Sequence, residues 1–378
     1  MAIRDVWSGN IGEWGEVFTL LQLLAHNELH NADMHGKRID DEYSLVEAML
    51  RTETSGVELV MEVDGDYIID HIGGDLTIRV PKEEFAAKAH SLFQRMLAQK
   101  GNAKHPEQEF LKDLGLEGVK ASSSVKADIA ARIYESYLAT HLRRDFSIKC
   151  VVGGKPSMAN ASAQSYIDYQ LPGFDEEKRD EVMSIGGRSW AVDRIRKVLE
   201  LVDGFPVPVV RNKIFNRNLL KCHWRAPEAV GLGLLYGQLE RGKPVIDSIA
   251  TLKDVNPAGY DEDELDDYED AIRGYLRGIV SDLVPTRPWR GPSQIDGYLL
   301  VTDNEEVLAY QVSRQRSFED YLLLHTCWDT PSTRRYPDVA SVSRRSDGSW
   351  VFSLSCVVRY NVHEYSGRNA LRAGINTH

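Results

Sequence analysis

Cysteine is scarce in this 378-residue chain: Cys150, Cys222, Cys327 and Cys356 stand far apart, with no CxxC spacing. That excludes a disulfide framework and a cysteine-rich zinc cluster, and it fits reduced, mostly buried thiols. Long apolar runs are missing too. One of the longest, FTLLQLLA at 18–25, is far shorter than the roughly 20 residues that cross a bilayer, and no basic stretch followed by an apolar one opens the chain. The expectation is a protein with no membrane partner, made and kept in the cytoplasm. Basic residues are in deficit, 45 Lys+Arg against 57 Asp+Glu for a net charge of −12. This argues against a protein that coats nucleic acid, but not against one that grips it in a local cleft. Phosphate-cradling glycine motifs are absent, and IGGRSW at 185–190 reads as a turn. What is abundant is apolar and aromatic: 42% hydrophobic residues, with seven Trp, ten Phe and sixteen Tyr, suffice for one large core or two adjoining ones.

Asn10 can cap a helix over 10–26, where Val17, Leu20, Leu21 and Leu24 recur at helical spacing. Three short strands follow at 57–63, 66–72 and 75–80, punctuated by Asp64-Gly65 and Gly73-Gly74 as in a meander, and a second helix spans 83–100. At FSIKCVV (146–152) the period becomes two, which sets Ser147, Lys149 and Val151 on one face. Residues 230–280 read as largely helical, with an acidic run at 261–270 that suits a solvated face. Two hairpins follow, around Asp303-Asn304 and Asp347-Gly348, with a helix between them. No internal repeat is present. The polar stretch LPGFDEEKRDE marks a boundary near 175 and divides the chain into 1–175 and 176–378.

Three places carry charge where chemistry would need it. Glu13 and Glu16 lie on the helix face of Val17, Leu20 and Leu24, the face expected to be buried, where carboxylates are costly unless compensated. The plainer account is that acids in a first turn favour the helix dipole. Asp128 precedes a segment that reads as helix about as well as strand, so it is a cap, a surface acid or a site residue. Lys149 lies on a strand, where it either snorkels to solvent or, with Asp128, holds a divalent cation and positions a water against a phosphodiester.

The ordered set GEWGEVFTLLQLL (12–24), KASSSVKADI (120–129) and DFSIKCVVGGKPSMANAS (145–162) resembles the HpaII-type restriction endonucleases. The likeness continues through RPWRGPSQIDGYLLV (287–301) and SFEDYLLLHTCWDTPSTRRY (317–336) to the final hairpin. No single motif is specific, whereas their order and spacing are. The resemblance implies a PD-(D/E)XK-like nuclease: an α/β fold with a mixed central sheet flanked by helices, restriction-endonuclease-like, and an additional C-terminal α+β portion. It implies a type II enzyme of a bacterial or archaeal restriction-modification system, acting on double-stranded DNA at a short palindrome of CCGG type. A palindromic target favours a homodimer, or a monomer that nicks each strand in turn.

On this resemblance Asp128 takes the place of the metal-binding acid and Lys149 that of the catalytic lysine, with Mg2+ as cofactor. The acid usual two residues before the lysine is Ser147 here. Serine cannot supply a carboxylate's charge, so the second ligand is expected from Glu16, or failing that Glu13. The serine also leaves open an inactive nucleic-acid-binding homologue. The connection ESYLATHLRR (135–144) lacks Gly, Pro and Asn, which points to a longer or helical link in place of a turn. DNA contacts are expected from Asn160, Ser162 and Gln164 after the lysine strand, and from Ser332, Thr333, Arg334 and Arg335. A further basic stretch, 188–225, holds nine Lys and Arg with Trp190, Phe215 and Trp224 interleaved, and reads as a groove wall or as an ordinary basic surface.

Overall fold

A computed structural model describes residues 5–72, 76–122, 127–135, 139–153, 157–159, 161–240, 243–291, 295–311 and 315–360. The chain forms two compact units, Met1–Gly154 with Ser293–Phe318, and Lys155–Pro292 with Glu319–His378. The sequence reading expects a single crossing at residue 175, a position that lies inside the second unit.

In the first unit, α1 (Ile11–His26) is followed by β1 (Glu28–Ala32), β2 (Arg38–Thr52), β3 (Glu58–Asp64), β4 (Tyr67–Ile72), β5 (Leu76–Pro81), α2 (Lys82–Ala98), α3 (Gln108–Asp113), β6 (Ile129–Glu135) and β7 (Thr140–Cys150). The second unit takes β8 (Ser157–Ala159), β9 (Tyr166–Gln170), α4 (Glu176–Met183), α5 (Trp190–Leu201), β10 (Val207–Val210), α6 (Lys213–Cys222), α7 (Ala226–Gly237), α8 (Val245–Val255) and α9 (Asp267–Val280). The chain then returns to the first unit with β11 (Gly297–Val301) and β12 (Val307–Gln311). After α10 (Gln315–Leu324) it ends in the second with β13 (Thr326–Trp328), β14 (Ser341–Arg344), β15 (Trp350–Ser355) and β16 (Val358–Tyr360).

The first unit is built on a mixed nine-stranded sheet in the order β1-β12-β11-β7-β6-β2-β3-β4-β5. Its strands 3 to 5 are the expected meander. The return of β11, which pairs in parallel with β7 from Gly297 opposite Phe146 to Val301 opposite Cys150, explains why the chain crosses between units more than once. Local periodicity does not register so distant a pairing. The sheet also closes on itself, because β1 pairs with both β12 and β2. Closure follows from the fifteen-residue length of β2: its first half pairs with β1, its second half with β6 and β3, and a register shift between Val46 and Ala48 lets it bend.

Helix α1 lies against β2, β7 and β12. Trp14, Val17, Phe18, Leu20, Leu21, Leu23 and Leu24 are all buried, and each such side chain contributes about 1.5–3 kcal/mol by leaving water. The second unit holds a four-stranded sheet, β10-β9-β15-β14, and a three-stranded one, β13-β16-β8. Its helices α7, α8 and α9 pack together, with the buried Trp328 donating its indole N–H to Ser248. Among the described residues no helix is long and apolar enough to cross a membrane. The four cysteines are free. Burial pushes the Cys150 thiol up to about 11 and those of Cys222 and Cys356 up to about 12, which leaves them inert.

Candidate active site

The hairpin of β6 and β7 sets the site. Its strands pair antiparallel from Ile129 opposite Phe146 to Glu135 opposite Thr140, which leaves four residues between the paired ends. Ala139 adopts a left-handed φ of 48° there. The longer or helical link expected from ESYLATHLRR is not what forms; a non-glycine residue takes the left-handed position that turn signals normally assign to Gly or Asn.

Asp128 stands one residue before β6, and its backbone N–H donates to the Phe146 carbonyl at 2.9 Å. Its Oδ2 accepts the Ile148 N–H at 2.6 Å and the Ser147 hydroxyl at 3.0 Å. The same hydroxyl oxygen accepts from Lys149 Nζ at 3.2 Å. Ser147 therefore bridges the two groups and holds them at one end of the hairpin. It is buried, whereas Asp128 and Lys149 are half-buried.

Glu16 reaches this place from α1. Gly15, its neighbour, lies so close to β7 that a Cβ there would sit 2.8 Å from Cys150 Cβ, and no other residue type would let the helix approach so far. Burial, and next to it the Asp128 carboxylate, push the Glu16 carboxyl up to about 8, while Arg51 and Lys120 act in the opposite sense. Two carboxylates that resist ionising together are the arrangement a divalent cation relieves.

Glu13 has a different role. Asn10 Oδ1 accepts the N–H groups of Gly12 at 2.9 Å and Glu13 at 3.1 Å, and Glu13 Oε2 accepts the Asn10 N–H at 2.9 Å. This reciprocal capping box fixes the start of α1. Glu16 is thus the acid of this helix whose carboxyl is electrostatically coupled to Asp128, and Glu13 acts on Glu16 more weakly than Asp128 does.

Behind the carboxylates lies a buried ion pair that sequence reasoning missed. Arg51 Nη1 donates to Glu53 at 2.9 Å, and Arg51 Nη2 to the carbonyls of Gly118 and Val119 at 3.1 and 2.8 Å. Met49, Arg51 and Glu53 follow at period two, and all three are buried. An arginine and a glutamate continuing an apolar strand face were the available signal.

Among the described residues no group of three His, Cys, Asp or Glu is placed to hold a metal. The pair Glu16 and Asp128 still suits Mg2+, which takes one or two carboxylates and keeps several waters. It does not suit zinc, which favours three or four nitrogen and sulfur ligands.

The expected DNA-contact residues fall in the second unit. Asn160 lies outside the described residues. Ser162 and Gln164 belong to a tight turn, where the Ser162 hydroxyl accepts the Gln164 N–H at 3.1 Å and Gln164 Oε1 accepts from Asn212. Ser332, Arg334 and Arg335 are exposed on a turn in which the Ser332 carbonyl accepts from the Arg335 and Tyr336 N–H groups. The Tyr336 hydroxyl donates to the Ala161 carbonyl at 2.7 Å, which brings the two segments side by side.

The basic stretch 188–225 is largely spent inside the fold. Arg194 donates to three carbonyls, Arg211 binds Asp168 and Asp338, Lys221 reaches the Trp289 carbonyl, and Arg225 pairs with Glu264 and Asp267. Phe215 is core, and among the described residues Arg188, Lys213, Arg217 and Lys221 are exposed and form no ion pair. Counting charges along a sequence does not reveal which are neutralised by distant acids.

Asp128 and Lys149 are joined through Ser147 at one end of a central hairpin of this α/β protein, with the Glu16 carboxyl electrostatically coupled to Asp128, a set of groups suited to hydrolytic chemistry. The HpaII restriction endonuclease family model matches residues 10–357, and the chain belongs to that family. It is 25% identical over 339 residues to the type II restriction enzyme HpaII of Haemophilus parainfluenzae, covering 88% of this chain and 94% of that enzyme. No solved structure matches.

Proposed function

We propose that the protein is a type II restriction endonuclease that hydrolyses double-stranded DNA with Mg2+, using Glu16, Asp128 and Lys149 as its catalytic residues. The observation that carries this reading is the Asp128–Ser147–Lys149 bridge with the Glu16 carboxylate beside Asp128, in a chain of a restriction-endonuclease family.

Asp128 and Glu16 would hold the cation, joined by the main-chain carbonyl that follows Ile148. Mg2+ bound there supplies neutralisation of phosphate charge and acidifies a bound water. Asp128 is oriented for this task because Ile148 N–H and Ser147 Oγ–H both fix its Oδ2. Lys149, held on Ser147, directs its remaining N–H groups at the attacking water and at the charge developing on the phosphoryl oxygens. Serine in place of the usual acid keeps one negative charge out of the site and serves instead as the link between Asp128 and Lys149. Direct attack by water leaves a 5′-phosphate and a 3′-hydroxyl, with no covalent intermediate. The fold is accordingly read as PD-(D/E)XK-like, with the first unit as nuclease core and the second as recognition portion, in place of the division at 175. Ser332, Arg334 and Arg335 are the contacts most open to DNA, with Asn160, Ser162 and Gln164 in support. The target is read as a short palindrome of CCGG type, cut by a homodimer or in two successive nicks within the cytoplasm.

Incubation of a sequenced plasmid with protein and Mg2+ tests the proposal. The wild type gives discrete fragments with ligatable 5′-phosphates, and Lys149→Ala gives none while still binding duplex. Binding without cleavage at any divalent-metal concentration would establish the inactive, nucleic-acid-binding alternative. Discrete fragments from DNA that lacks CCGG would overturn the target alone.

A further inference from the structure

A groove of about 350 Å3 opens in the second unit, lined by Arg188, Ser189 and Trp190 on one side, by Ser332 and Thr333 on the other, and by Lys243. Three features make it a place for an anion. First, Lys243 is half-buried with no carboxylate within ion-pair distance among the described residues. Its Nζ donates to Thr330 Oγ1 at 2.6 Å, and that hydroxyl donates to Gln238 Oε1 at 2.8 Å, so the ammonium is oriented but not neutralised. Asp329, the nearest acid acting on it, is paired with Arg359 at 2.6 Å. Burial holds the Lys243 ammonium below its ordinary value, the shift an incoming negative charge reverses.

Second, α5 begins at the groove. Its N-cap Ser189 makes no side-chain cap to the amides of its first turn. Asp193, the acid of that turn, pairs with Arg196 at 3.1 Å. The positive end of a twelve-residue helix, not capped by its own N-cap side chain, favours a phosphate. Third, Lys243 adopts a left-handed φ of 59°, a conformation uncommon for a non-glycine residue. Its carbonyl is fixed there by the Trp328 N–H at 2.9 Å.

We propose that this groove is a phosphate-binding subsite in which Arg188, Lys243, the amides opening α5 and the hydroxyls of Ser332 and Thr333 hold the sugar-phosphate backbone of DNA. The choice of occupant rests on the nuclease reading, and the chemistry of the groove does not. Its contribution is sequence-independent, since backbone contacts fix register without reading bases. It also bears on how a chain of net charge −12 holds a polyanion: two cations without acid partners and a helix end are gathered in one groove, while Arg196, Lys197, Arg211 and Arg225 of the basic stretch are paired with acids.

The test is anisotropy of a labelled duplex with the full-length protein, at several salt concentrations and with Ca2+ in place of Mg2+. Lys243→Gln and Arg188→Gln should each weaken binding about tenfold and lower the salt slope by about 0.9, equally for cognate and scrambled duplexes; Lys243→Arg should restore most of the loss. Arg188 is exposed, so Arg188→Gln keeps the test valid should Lys243→Gln fold poorly. Unchanged affinity and slope in Arg188→Gln and in a folded Lys243→Gln would overturn the subsite and leave the nuclease reading intact. Wild-type protein that neither binds nor cuts duplex would overturn both. Tight binding of inorganic phosphate at constant ionic strength, without competition by DNA, would assign the groove to a small anion and overturn the occupant.

Discussion

Gly15→Ala separates positioning from stability. The added Cβ would lie 2.8 Å from Cys150 Cβ and 3.0 Å from Cys150 Sγ, against the 3.5–4.0 Å of an ordinary carbon contact. Neither neighbour is the end of a flexible chain, so α1 must move off β7 by about 1 Å. Overpacking of this kind costs about 1–3 kcal/mol, and the better helix propensity of alanine returns about 1 kcal/mol, so the net loss of stability is at most about 2 kcal/mol. The rate has no such compensation. Glu16 rides on the displaced turn, and a misplacement of about 1 Å in a catalytic group costs ~100-fold. We therefore expect a small fall in melting temperature and a cleavage rate, in single-turnover assays at saturating Mg2+, reduced by about two orders of magnitude. Cys150→Gly removes both clashing atoms, so the double variant should recover most of the rate. If Gly15→Ala cut DNA as fast as the wild type, the placement of Glu16 by the α1–β7 contact would be refuted; if the double variant stayed slow, the loss would not stem from the clash.

Two further predictions concern buried polar groups. Ser147→Ala deletes the hydroxyl that links Asp128 and Lys149, and single-turnover cleavage should slow by about tenfold, the worth of one hydrogen bond to a charged group, with metal-free duplex affinity unaltered; an unchanged rate would show that the bridge positions nothing. Asp70 is fully buried on the core face of β4, opposite Met61, neither carboxyl oxygen has a hydrogen-bond partner among the described residues, and burial raises its carboxyl to about 7. Its neutral form is the one the fold tolerates, so the wild type should lose stability as pH rises from about 4 to about 7 and be level above, with a ceiling on the order of 4 kcal/mol. Asp70→Asn should remove that slope in urea unfolding, and a wild-type-minus-variant difference that is the same at pH 5 and pH 8 would contradict the assignment.

Local signals made the first helix legible in detail. Asn10, Glu13 and the leucine period specify its start and its buried face, and the sequence reading needed only the capping box to tell Glu13 from Glu16. The meander of β3 to β5, the hairpin of β11 and β12 around Asp303-Asn304, and the hairpin of β14 and β15 around Asp347-Gly348 were equally readable, because turn chemistry is written within a few residues. Closure of the sheet was not. Whether β1 meets β12 depends on the length and bend of β2 and on strands separated by more than 250 positions, which no period encodes.

The site divides in the same way. Lys149 and Ser147 were placed on one face by alternation alone, Asp128 stood out beside them as one possible site residue, and the family resemblance gave it the place of the metal-binding acid. What joined the three was a hairpin register, with Ile129 opposite Phe146, that the poor turn signal of 135–144 concealed. Serine at position 147 looked like a missing ligand in the sequence. In the fold its hydroxyl donates to the aspartate and accepts from the lysine, a pair of tasks a carboxylate could perform toward lysine but not, while ionised, toward Asp128. An acid there would set a second negative charge against Asp128, so on the proposed reading a site with serine at 147 calls for its other carboxylate from elsewhere, and Glu16, on the helix that Gly15 lets press against β7, is the residue proposed to supply it.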